Sequence, residues 1–428
     1  MTAFYERQPS RYILFLMYVI LCQDCKAELK EDVFRVSCPT CGGPLGFRYS
    51  DDGVFAETSG NSMWRYRSQL PVRPQSAIVS LQEGFTPLQK TRCHKRVEVY
   101  LKNETMNPTG SHKDRAISIG MTKALEFGYD AVMLYSDGST ALASAAYAAR
   151  AGIRNITLVP PGMPDSRLLP LVIYNSTLLE YHGSAAAALD WVHKACELLR
   201  IYETSTYRRA NPYESEGPKT ISYEIFQQLV RVPDWLVVPV GGGATLAAIW
   251  RGFVELENTR LTSKKPRMVA VLPKGYDILE SAMNQGVQSE KDFRSLTLRT
   301  APPTLQAKIA MPCPPDGLEV IAALRESDGL LLYASDNEVL ASQKRLGTCE
   351  GIYAEPSAAA ALSGVEKLLE MERVRDGDTI VAVITGSGFR ETGAISEKVK
   401  INKFLVEPDS GIATLEKILR KDESPQGY

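Results

Sequence analysis

A lysine at the predicted start of a helix is the first residue in this sequence that could do chemistry. Lys113 lies in the stretch NPTGSHKDR (107–115), after a turn rich in proline, glycine and hydroxyl residues. A helix N-terminus carries positive partial charge, which disfavours a charged ammonium. The position suits an amine whose pKa must fall, or one that joins a carbonyl compound covalently. An exposed lysine in the first helical turn is the simpler alternative.

A second candidate is a run of glycines between a buried strand and a helix of small residues. Gly241–Gly243 follow the apolar stretch WLVVPV, and their amides at a helix N-terminus could bind a phosphate. No Lys-Ser or Lys-Thr pair follows, which excludes an ATPase P-loop. No acidic residue ends the following strand at the spacing that a dinucleotide ribose requires, so a compact phosphate is favoured. A nicotinamide-dependent dehydrogenase stays open as an alternative.

A third candidate is a threonine at the end of a late strand. Thr385 closes the apolar run TIVAVI (379–384). Its hydroxyl would lie at the carboxyl edge of a parallel sheet, where ligands bind in open α/β folds. Ordinary turn chemistry at a strand end is the alternative interpretation.

Four cysteines near the N-terminus form two C-x-x-C pairs separated by twelve residues. Each pair forms a tight turn that directs two sulfurs to one point, and two such turns make the tetrahedral thiolate cage that zinc prefers. We therefore predict a structural zinc ribbon. A ribbon that has lost its metal and two local disulfides are the alternatives. The predicted ligands are Cys22, Cys25, Cys38 and Cys41.

Composition argues against two classes of partner. Forty-nine basic and fifty acidic residues give a net charge of −1, without the basic footprint of a nucleic-acid binder. The apolar run 12–21 is too short for a membrane span, which needs roughly 20 residues, and no cleavage-like site follows it. The other four cysteines are scattered, which suits a reducing, cytoplasmic compartment. We interpret residues 1–16 as a dispensable extension or a mis-assigned start.

From about residue 81 the sequence alternates between apolar β-branched runs and alanine-rich helical stretches. Continuously apolar strands with helices between them predict an α/β fold, with parallel sheets covered by helices. The predicted strands are 97–102, 131–136, 155–160, 177–182, 235–240, 267–273 and 379–386. The predicted helices are 113–127, 140–151, 185–200, 217–230, 244–257, 336–346, 357–372 and 410–420.

Six motifs, in order along residues 17–400, resemble those of one enzyme family. They are LQEGFTPL (81–88), LKNETMNPTGSHKDRA (101–116), YSDGSTALASAAYAARAGI (135–153), NPYESEGPKT (211–220), EPSAAAALSG (355–364) and TGSGF (385–389). The ordered set is similar to that of pyridoxal-phosphate-dependent enzymes of fold type II, the tryptophan synthase β-like group. It is most similar to that of threonine synthases, some of which also carry an N-terminal segment like a zinc ribbon.

The resemblance implies a two-domain catalytic region of fold type II, preceded by the small zinc ribbon. Residues 1–55 would form the extension and ribbon, and 56–428 the catalytic region, with a smaller domain nested at about 110–205. Such enzymes act on small amino-acid substrates. They eliminate a β- or γ-leaving group, often phosphate, and add a nucleophile. The implied cofactor is pyridoxal 5′-phosphate, and the implied assembly is a homodimer.

The resemblance also implies roles for individual residues. Lys113 would bind the cofactor covalently and later move protons at the substrate Cα and Cβ. Thr385 would bond to the pyridine nitrogen of the cofactor. The implied cofactor-binding residues are Lys113, Ser139, Gly241, Gly242, Gly243, Ala244, Thr245 and Thr385. The implied substrate-binding residues are Ser136, Gly138, Ser139, Thr140 and Glu214.

Three residues depart from the family pattern. Ser139 stands where asparagine is usual, His112 where phenylalanine is usual, and Glu214 where an arginine helps to hold a substrate phosphate. A carboxylate at position 214 would repel a phosphate dianion. Two alternatives therefore stay open. One is a β-replacement enzyme, such as a cysteate synthase-like enzyme of specialised metabolism, and the other is a zinc-ribbon binding protein that lacks catalysis.

Overall fold

The computed structural model describes residues 18–49, 60–92, 94, 97–296, 301–391, 393 and 415. The chain divides into two compact units, Met1–Arg390 and Glu391–Tyr428. All strands and helices with defined bounds lie in the first unit. The predicted extension 1–16 lies outside the described residues, as does the predicted helix 410–420 apart from Leu415.

A three-stranded antiparallel sheet begins the described chain, in the order β2-β1-β3. Its strands are β1 (Tyr18–Cys22), β2 (Glu28–Leu29) and β3 (Leu45–Tyr49). Cys22, the last residue of β1, pairs with Leu45, the first residue of β3. The first C-x-x-C turn therefore starts where β1 ends, and the second lies in the connection that leads into β3.

A six-stranded sheet forms the centre of the first unit, in the order β12-β11-β10-β13-β5-β4, with only β4 antiparallel to its neighbour. Its strands are β4 (Leu88–Lys90), β5 (Glu98–Asn103), β10 (Trp235–Pro239), β11 (Arg267–Pro273), β12 (Leu330–Ala334) and β13 (Thr379–Ile384). In β10, Leu236 and Val238 enter one core, whereas Trp235 and Val237 enter the other. Burial on both faces explains its uninterrupted apolar sequence.

A four-stranded parallel sheet, in the order β8-β7-β6-β9, is inserted along the chain between β5 and β10. Its strands are β6 (Ala131–Tyr135), β7 (Arg154–Val159), β8 (Thr177–Glu180) and β9 (Tyr202–Glu203). The helices of this part are α1 (Lys113–Glu126), α2 (Ser139–Ala151), α3 (Asp165–Ile173) and α4 (Ala185–Leu199). The parallel α/β architecture is confirmed, while the domain bounds 1–55, 56–428 and 110–205 stay a prediction.

Helices cover both faces of the larger sheet. They are α5 (Thr220–Leu229), α6 (Ala244–Asn258), α7 (Ile278–Asn284), α8 (Glu290–Ser295), α9 (Gly317–Glu326), α10 (Asp336–Glu350) and α11 (Pro356–Glu370). Apolar residues of α5, α6 and α9 fill one core, and those of α10 and α11 fill the other. Strands β2, β3, β4, β9 and β12 and helices α3, α7, α8 and α9 were not predicted. Helix α3 contains Pro170, and an internal proline normally indicates the end of a helix.

Helix α1 is held in place by a buried network of charges. Arg115 lies 2.7 Å from Glu104 and also contacts Glu224, which lies 2.6 Å from Lys102. None of these four side chains is exposed. A buried charge that loses its partner is strongly destabilising, so the network restricts the position of the helix. Lys113 is the first residue of α1 and lies two residues before Arg115, so the network also fixes the position of Lys113.

Candidate active site

Lys113 is half-buried at the start of helix α1. Its Nζ donates a hydrogen bond to Thr206 Oγ1 at 3.0 Å. Burial lowers the pKa of Lys113 from 10.5 to about 8, against the opposing attraction of the carboxylates Asp316, Glu214 and Glu355. This helix start therefore carries a lysine that is partly neutral near physiological pH.

Three other lysines have no exposed side-chain surface, and each is paired with a carboxylate. The pairs are Lys102–Glu224 (2.6 Å), Lys123–Glu31 (2.6 Å) and Lys219–Glu216 (2.7 Å). The hydrogen-bond partner of Lys113 is instead a neutral hydroxyl. A carboxylate favours the charged ammonium, so Lys113 is better suited than these three to act as a nucleophile or base.

The turn before Lys113 packs on the end of strand β13. The amide of His112 donates to the carbonyl oxygen of Thr385 at 3.1 Å, and Ser111 forms an isolated β-bridge with Gly386. Nδ1 of His112 also lies 3.1 Å from the same carbonyl oxygen. Burial and the neighbouring Lys113 lower the pKa of His112 to about 3, so its ring is neutral at physiological pH. The structure thus joins the lysine turn to the strand-end threonine.

The glycine run forms the turn between strand β10 and helix α6. Gly243 has a left-handed φ of +98°, and a Cβ on it would lie 2.9 Å from the carbonyl oxygen of Asp316. A Cβ on Gly241 would lie 2.9 Å from the carbonyl oxygen of Lys308. Within the described residues, no protein acceptor is bonded to the amide hydrogens of residues 241–245. This loop therefore presents unsatisfied donors at a helix N-terminus, which suits a phosphate.

The loop at the start of helix α2 contains the four residues predicted to hold a substrate carboxylate. Gly138 precedes the helix, Ser139 and Thr140 begin it, and the Gly138 amide donates to Ser136 Oγ at 3.2 Å. In the part of the chain that the structure describes, the amide hydrogens of Ser139 and Thr140 have no bonded protein acceptor. They can therefore donate to an anion that binds at this helix N-terminus.

Two cations at this loop were not anticipated from the sequence. Arg390 Nη2 donates to Ser139 Oγ at 2.8 Å and lies 3.4 Å from Glu355 Oε2. Lys308 Nζ lies over Gly138. Arg390 could have been noticed in the sequence, because it directly follows the TGSGF motif. Lys308 lies in an irregular segment far from Gly138 in sequence, and no local pattern marks it.

Glu214 lies at the start of a 3₁₀ turn, packed against helix α1. It is fully buried, and neither carboxylate oxygen has a hydrogen-bond partner within the described residues. A Cβ on Gly120 would lie only 2.0 Å from Glu214 Oε1. Burial, followed by the repulsion of Glu203, raises the pKa of Glu214 well above its usual range. Burial therefore disfavours the charge expected at this position, while a contact between Glu214 and substrate stays a prediction.

The four predicted zinc ligands converge on one point. Their sulfur atoms all lie within 4.8 Å of one another, with Cys22 and Cys41 at 3.4 Å and Cys25 and Cys38 at 3.7 Å. A tetrahedral zinc site with Zn–S bonds of about 2.3 Å places sulfurs about 3.8 Å apart. All four cysteines are free thiols, so the alternative of two local disulfides is wrong. The donor set fits zinc.

The ribbon (residues 18–49) docks on the elements that carry the site. Arg208 Nε donates to the carbonyl oxygen of Leu45 at 2.6 Å, while the Arg208 amide lies 3.2 Å from Asp316 Oδ1. The Asp316 amide in turn donates to the carbonyl oxygen of Gly242 at 2.9 Å. Thr206, two residues before Arg208, accepts the hydrogen bond from Lys113. The segment 206–208 therefore connects the ribbon both to Lys113 and to the glycine loop.

A lysine of lowered pKa thus lies in a turn that packs on a strand-end threonine, and the segment 206–208 connects it through Asp316 to a glycine loop with unsatisfied amides. A family model described as pyridoxal-phosphate dependent enzyme matches residues 79–386. The chain belongs to this family. The threonine synthase of Methanosarcina acetivorans is 34% identical over 383 residues, which cover 86% of this chain and 91% of the relative. That of Methanocaldococcus jannaschii is 32% identical over 413 residues, covering 94% and 99% respectively.

Solved structures of other proteins share the fold at low identity. Threonine deaminase isoform 2 from Solanum lycopersicum superimposes with a TM-score of 0.64 at 18% identity, covering 82% of this chain and 98% of that one. An O-ureido-L-serine synthase superimposes with a TM-score of 0.60 at 21% identity, covering 74% and 94%. The fold type II architecture inferred from the motifs is confirmed.

Membership of this family decides among the functional classes that the sequence left open. The chain is a pyridoxal-phosphate-dependent lyase or synthase that resembles threonine synthase. A nicotinamide-dependent dehydrogenase and a zinc-ribbon protein without catalysis are therefore set aside. The amine of Lys113 and the unsatisfied amides of 241–245 fit an aldehyde that carries a phosphate. Among the described residues, no helix combines the length and apolar character that crossing a membrane requires.

The lowered pKa of Lys113 predicts how the cofactor-free protein reacts with pyridoxal phosphate. At pH 7 a pKa of about 8, instead of 10.5, raises the neutral fraction of this amine from about one in 3,000 to about one in ten. We expect the rate of covalent capture, followed by visible absorption, to rise with pH and level off above about pH 8. The free ε-amine of Nα-acetyl-lysine should show no plateau in this range. A protein profile that also keeps rising beyond pH 9 would contradict the lowered pKa of Lys113.

Proposed function

We propose that this enzyme eliminates a β- or γ-leaving group, often phosphate, from an amino-acid substrate and adds a nucleophile. The observation that carries the proposal is the position of Lys113, whose amine has a lowered pKa and whose turn packs on the strand end at Thr385. The loops 136–140 and 241–245 supply donors for two anionic groups beside it. The relatives named threonine synthase support threonine formation as the leading reaction.

Each part of the site has a separate task in this proposal. When bound, pyridoxal phosphate supplies a sink for the electron pair left at the substrate Cα after its proton is removed. Lys113 takes and returns that proton, because a base with a pKa near the working pH is the most effective. The amides of 241–245 hold the cofactor phosphate, and those of Ser139 and Thr140 orient the substrate carboxylate.

Thr385 would restrict the class of reaction if its hydroxyl holds the pyridine nitrogen of the cofactor. A hydroxyl can share a hydrogen bond there but would not keep the ring protonated as a carboxylate partner would. The bound cofactor would then supply a milder electron sink, which would favour elimination and replacement over transamination. His112, which is bonded to the Thr385 carbonyl oxygen, stays neutral and adds no competing charge.

A β-replacement enzyme is the second candidate, favoured by Ser139. Serine is shorter than the asparagine that is usual in threonine synthases, and its hydroxyl is already bonded to Arg390 at 2.8 Å. The substrate and cofactor contacts at this loop would therefore differ from those of the relatives. Glu214 argues less strongly against a phosphorylated substrate, because burial raises the pKa of its carboxyl and disfavours the charge.

A substrate panel separates the two candidates. We expect threonine and inorganic phosphate from O-phospho-L-homoserine, with kcat/KM roughly 100-fold above that for O-phospho-L-serine or O-acetyl-L-serine. Differences in one methylene and in the leaving group set this ratio. Turnover of the serine derivatives without turnover of O-phospho-L-homoserine would contradict threonine formation and favour β-replacement.

Three further features belong to this proposal. The cluster of Cys22, Cys25, Cys38 and Cys41 would hold a structural zinc ion, because its sulfurs are arranged as a tetrahedral site requires. The enzyme would form a homodimer, as enzymes of this fold often do. It would work in the cytoplasm, where the unpaired cysteines of the described chain stay reduced.

A further inference from the structure

Arg390 connects two parts of the site that belong to different sheets. It ends the turn Gly388–Arg390 after strand β13 of the larger sheet, whereas Ser139 begins helix α2 after strand β6 of the smaller one. Its Nη2 donates to Ser139 Oγ at 2.8 Å. A Cβ on Gly110 would lie 3.6 Å from Arg390 Nε, and one on Gly386 would lie 3.2 Å from Nη2. The guanidinium therefore lies on the backbone of both the lysine turn and the TGSGF turn.

A carboxylate holds this guanidinium in place. Glu355, the residue before helix α11, has its Oε2 3.4 Å from Arg390 Nη2. Only 18% of the Arg390 side chain and 5% of the Glu355 side chain are exposed. A Cβ on Gly386 would also lie 2.6 Å from Glu355 Oε1, so both charged groups pack on the same glycine. An ion pair so shielded from water keeps its arginine charged and restricts the directions in which the arginine can donate.

The bond to Arg390 determines what the Ser139 hydroxyl can do. A guanidinium has only donors, so Ser139 Oγ must be the acceptor and its own hydrogen stays available. Within the described residues, no protein group accepts that hydrogen. A hydroxyl that accepts a hydrogen bond from a cation is polarised and becomes a stronger donor. The arginine thus prepares a donor beside the Ser139 and Thr140 amides.

We propose that Arg390 is a positioning residue, which fixes the Ser139 hydroxyl as a donor to the α-carboxylate of the amino-acid substrate. The inference rests on the proposed function, in which the amides of Ser139 and Thr140 orient that carboxylate. The hydroxyl adds a third donor at the same helix N-terminus. Without the arginine, the serine side chain can turn among its rotamers and the hydroxyl loses its fixed direction.

Ligand binding to the cofactor-loaded enzyme tests this role without turnover. Dissociation constants would be measured from the change in cofactor absorption with L-2-aminobutanoate and with L-2-aminobutanamide, in which a neutral amide replaces the carboxylate. The variants are Arg390→Met, Arg390→Lys, Ser139→Ala and the double variant Arg390→Met with Ser139→Ala. Arg325→Met, at an exposed position of α9, is the matched control. KM and kcat for the best substrate of the panel would be measured in parallel.

We expect Arg390→Met to weaken binding of L-2-aminobutanoate by about 10-fold and that of the amide by less than about 2-fold, because a charged acceptor gains most from an oriented donor. The double variant should bind no more weakly than Ser139→Ala, since residues that act through one another have non-additive effects. KM should rise with little change in kcat, because the carboxylate is held equally before and during the reaction. Arg390→Lys should restore part of the affinity, and Arg325→Met should behave as the unmodified enzyme.

Multiplied losses in the double variant would show that Arg390 acts independently of Ser139 and would overturn the proposal. Equal weakening of both ligands, or no weakening of either, would overturn it as well. If Arg390→Met does not fold, Arg390→Gln decides, because it removes the charge and should weaken L-2-aminobutanoate binding only where Ser139 is intact. Failure of the proposed function has a different signature. In that case the unmodified protein lacks the visible band of covalently bound cofactor, or does not respond to any amino acid.

Discussion

Replacing Lys113 with alanine should abolish the visible absorption of covalently bound pyridoxal phosphate and lower turnover by about 10³-fold or more. In the proposed function this amine both joins the cofactor and takes the substrate proton, so a single substitution removes both roles. Absorption spectra, borohydride fixation and steady-state rates measure the two losses separately.

The variant should remain folded. The Lys113 side chain makes one hydrogen bond, to Thr206, and alanine is the residue most favourable to a helix. The buried Arg115 network that positions α1 is untouched by the substitution. Lys344→Ala, at an exposed position of α10, is the matched control and should keep the band and the activity. A Lys113→Ala protein that still forms a borohydride-reducible adduct at a single site would contradict the assignment.

Removal of metal from the four-cysteine ribbon should lower the melting temperature by about 5–10 °C and reduce retention of the cofactor. Cys25 and Cys41 are exposed, so a chelator can reach the site. Without the metal the ribbon loses its fixed shape, and Leu45 no longer presents its carbonyl oxygen to Arg208. That arginine begins the link to Asp316 and to the glycine loop, so we expect the cofactor to dissociate more readily.

Metal analysis, thermal unfolding and cofactor absorption test this prediction together. The native chain should contain about one zinc ion, and Cys25→Ser should contain less and unfold at a lower temperature. Cys349→Ser, which removes a free thiol outside the ribbon, is the control and should keep metal, stability and colour. An unchanged melting temperature after complete removal of metal would show that the ribbon does not stabilise the enzyme.

Local spacing and composition allowed the elements and the chemistry to be predicted from the sequence. Two C-x-x-C pairs at this spacing predicted one cluster of sulfurs, and a glycine run after a buried strand predicted a turn with exposed amides. Continuous apolar runs indicated the parallel strands, because burial on both faces leaves no position for a polar residue. The motif order then indicated the family, including Lys113 as its reactive amine.

Only the tertiary structure decided the charges around the site. The pKa of Lys113 is lowered and that of Glu214 is raised because distant segments cover them, which local sequence does not reveal. Arg390 and Lys308 reach Ser139 and Gly138 across more than 150 residues of chain. Electrostatic free energies depend on burial and on partners in space, whereas secondary structure depends mainly on neighbours in sequence. The reactive elements could therefore be predicted, but not the ionisation states of the site or the cations that lie beside it.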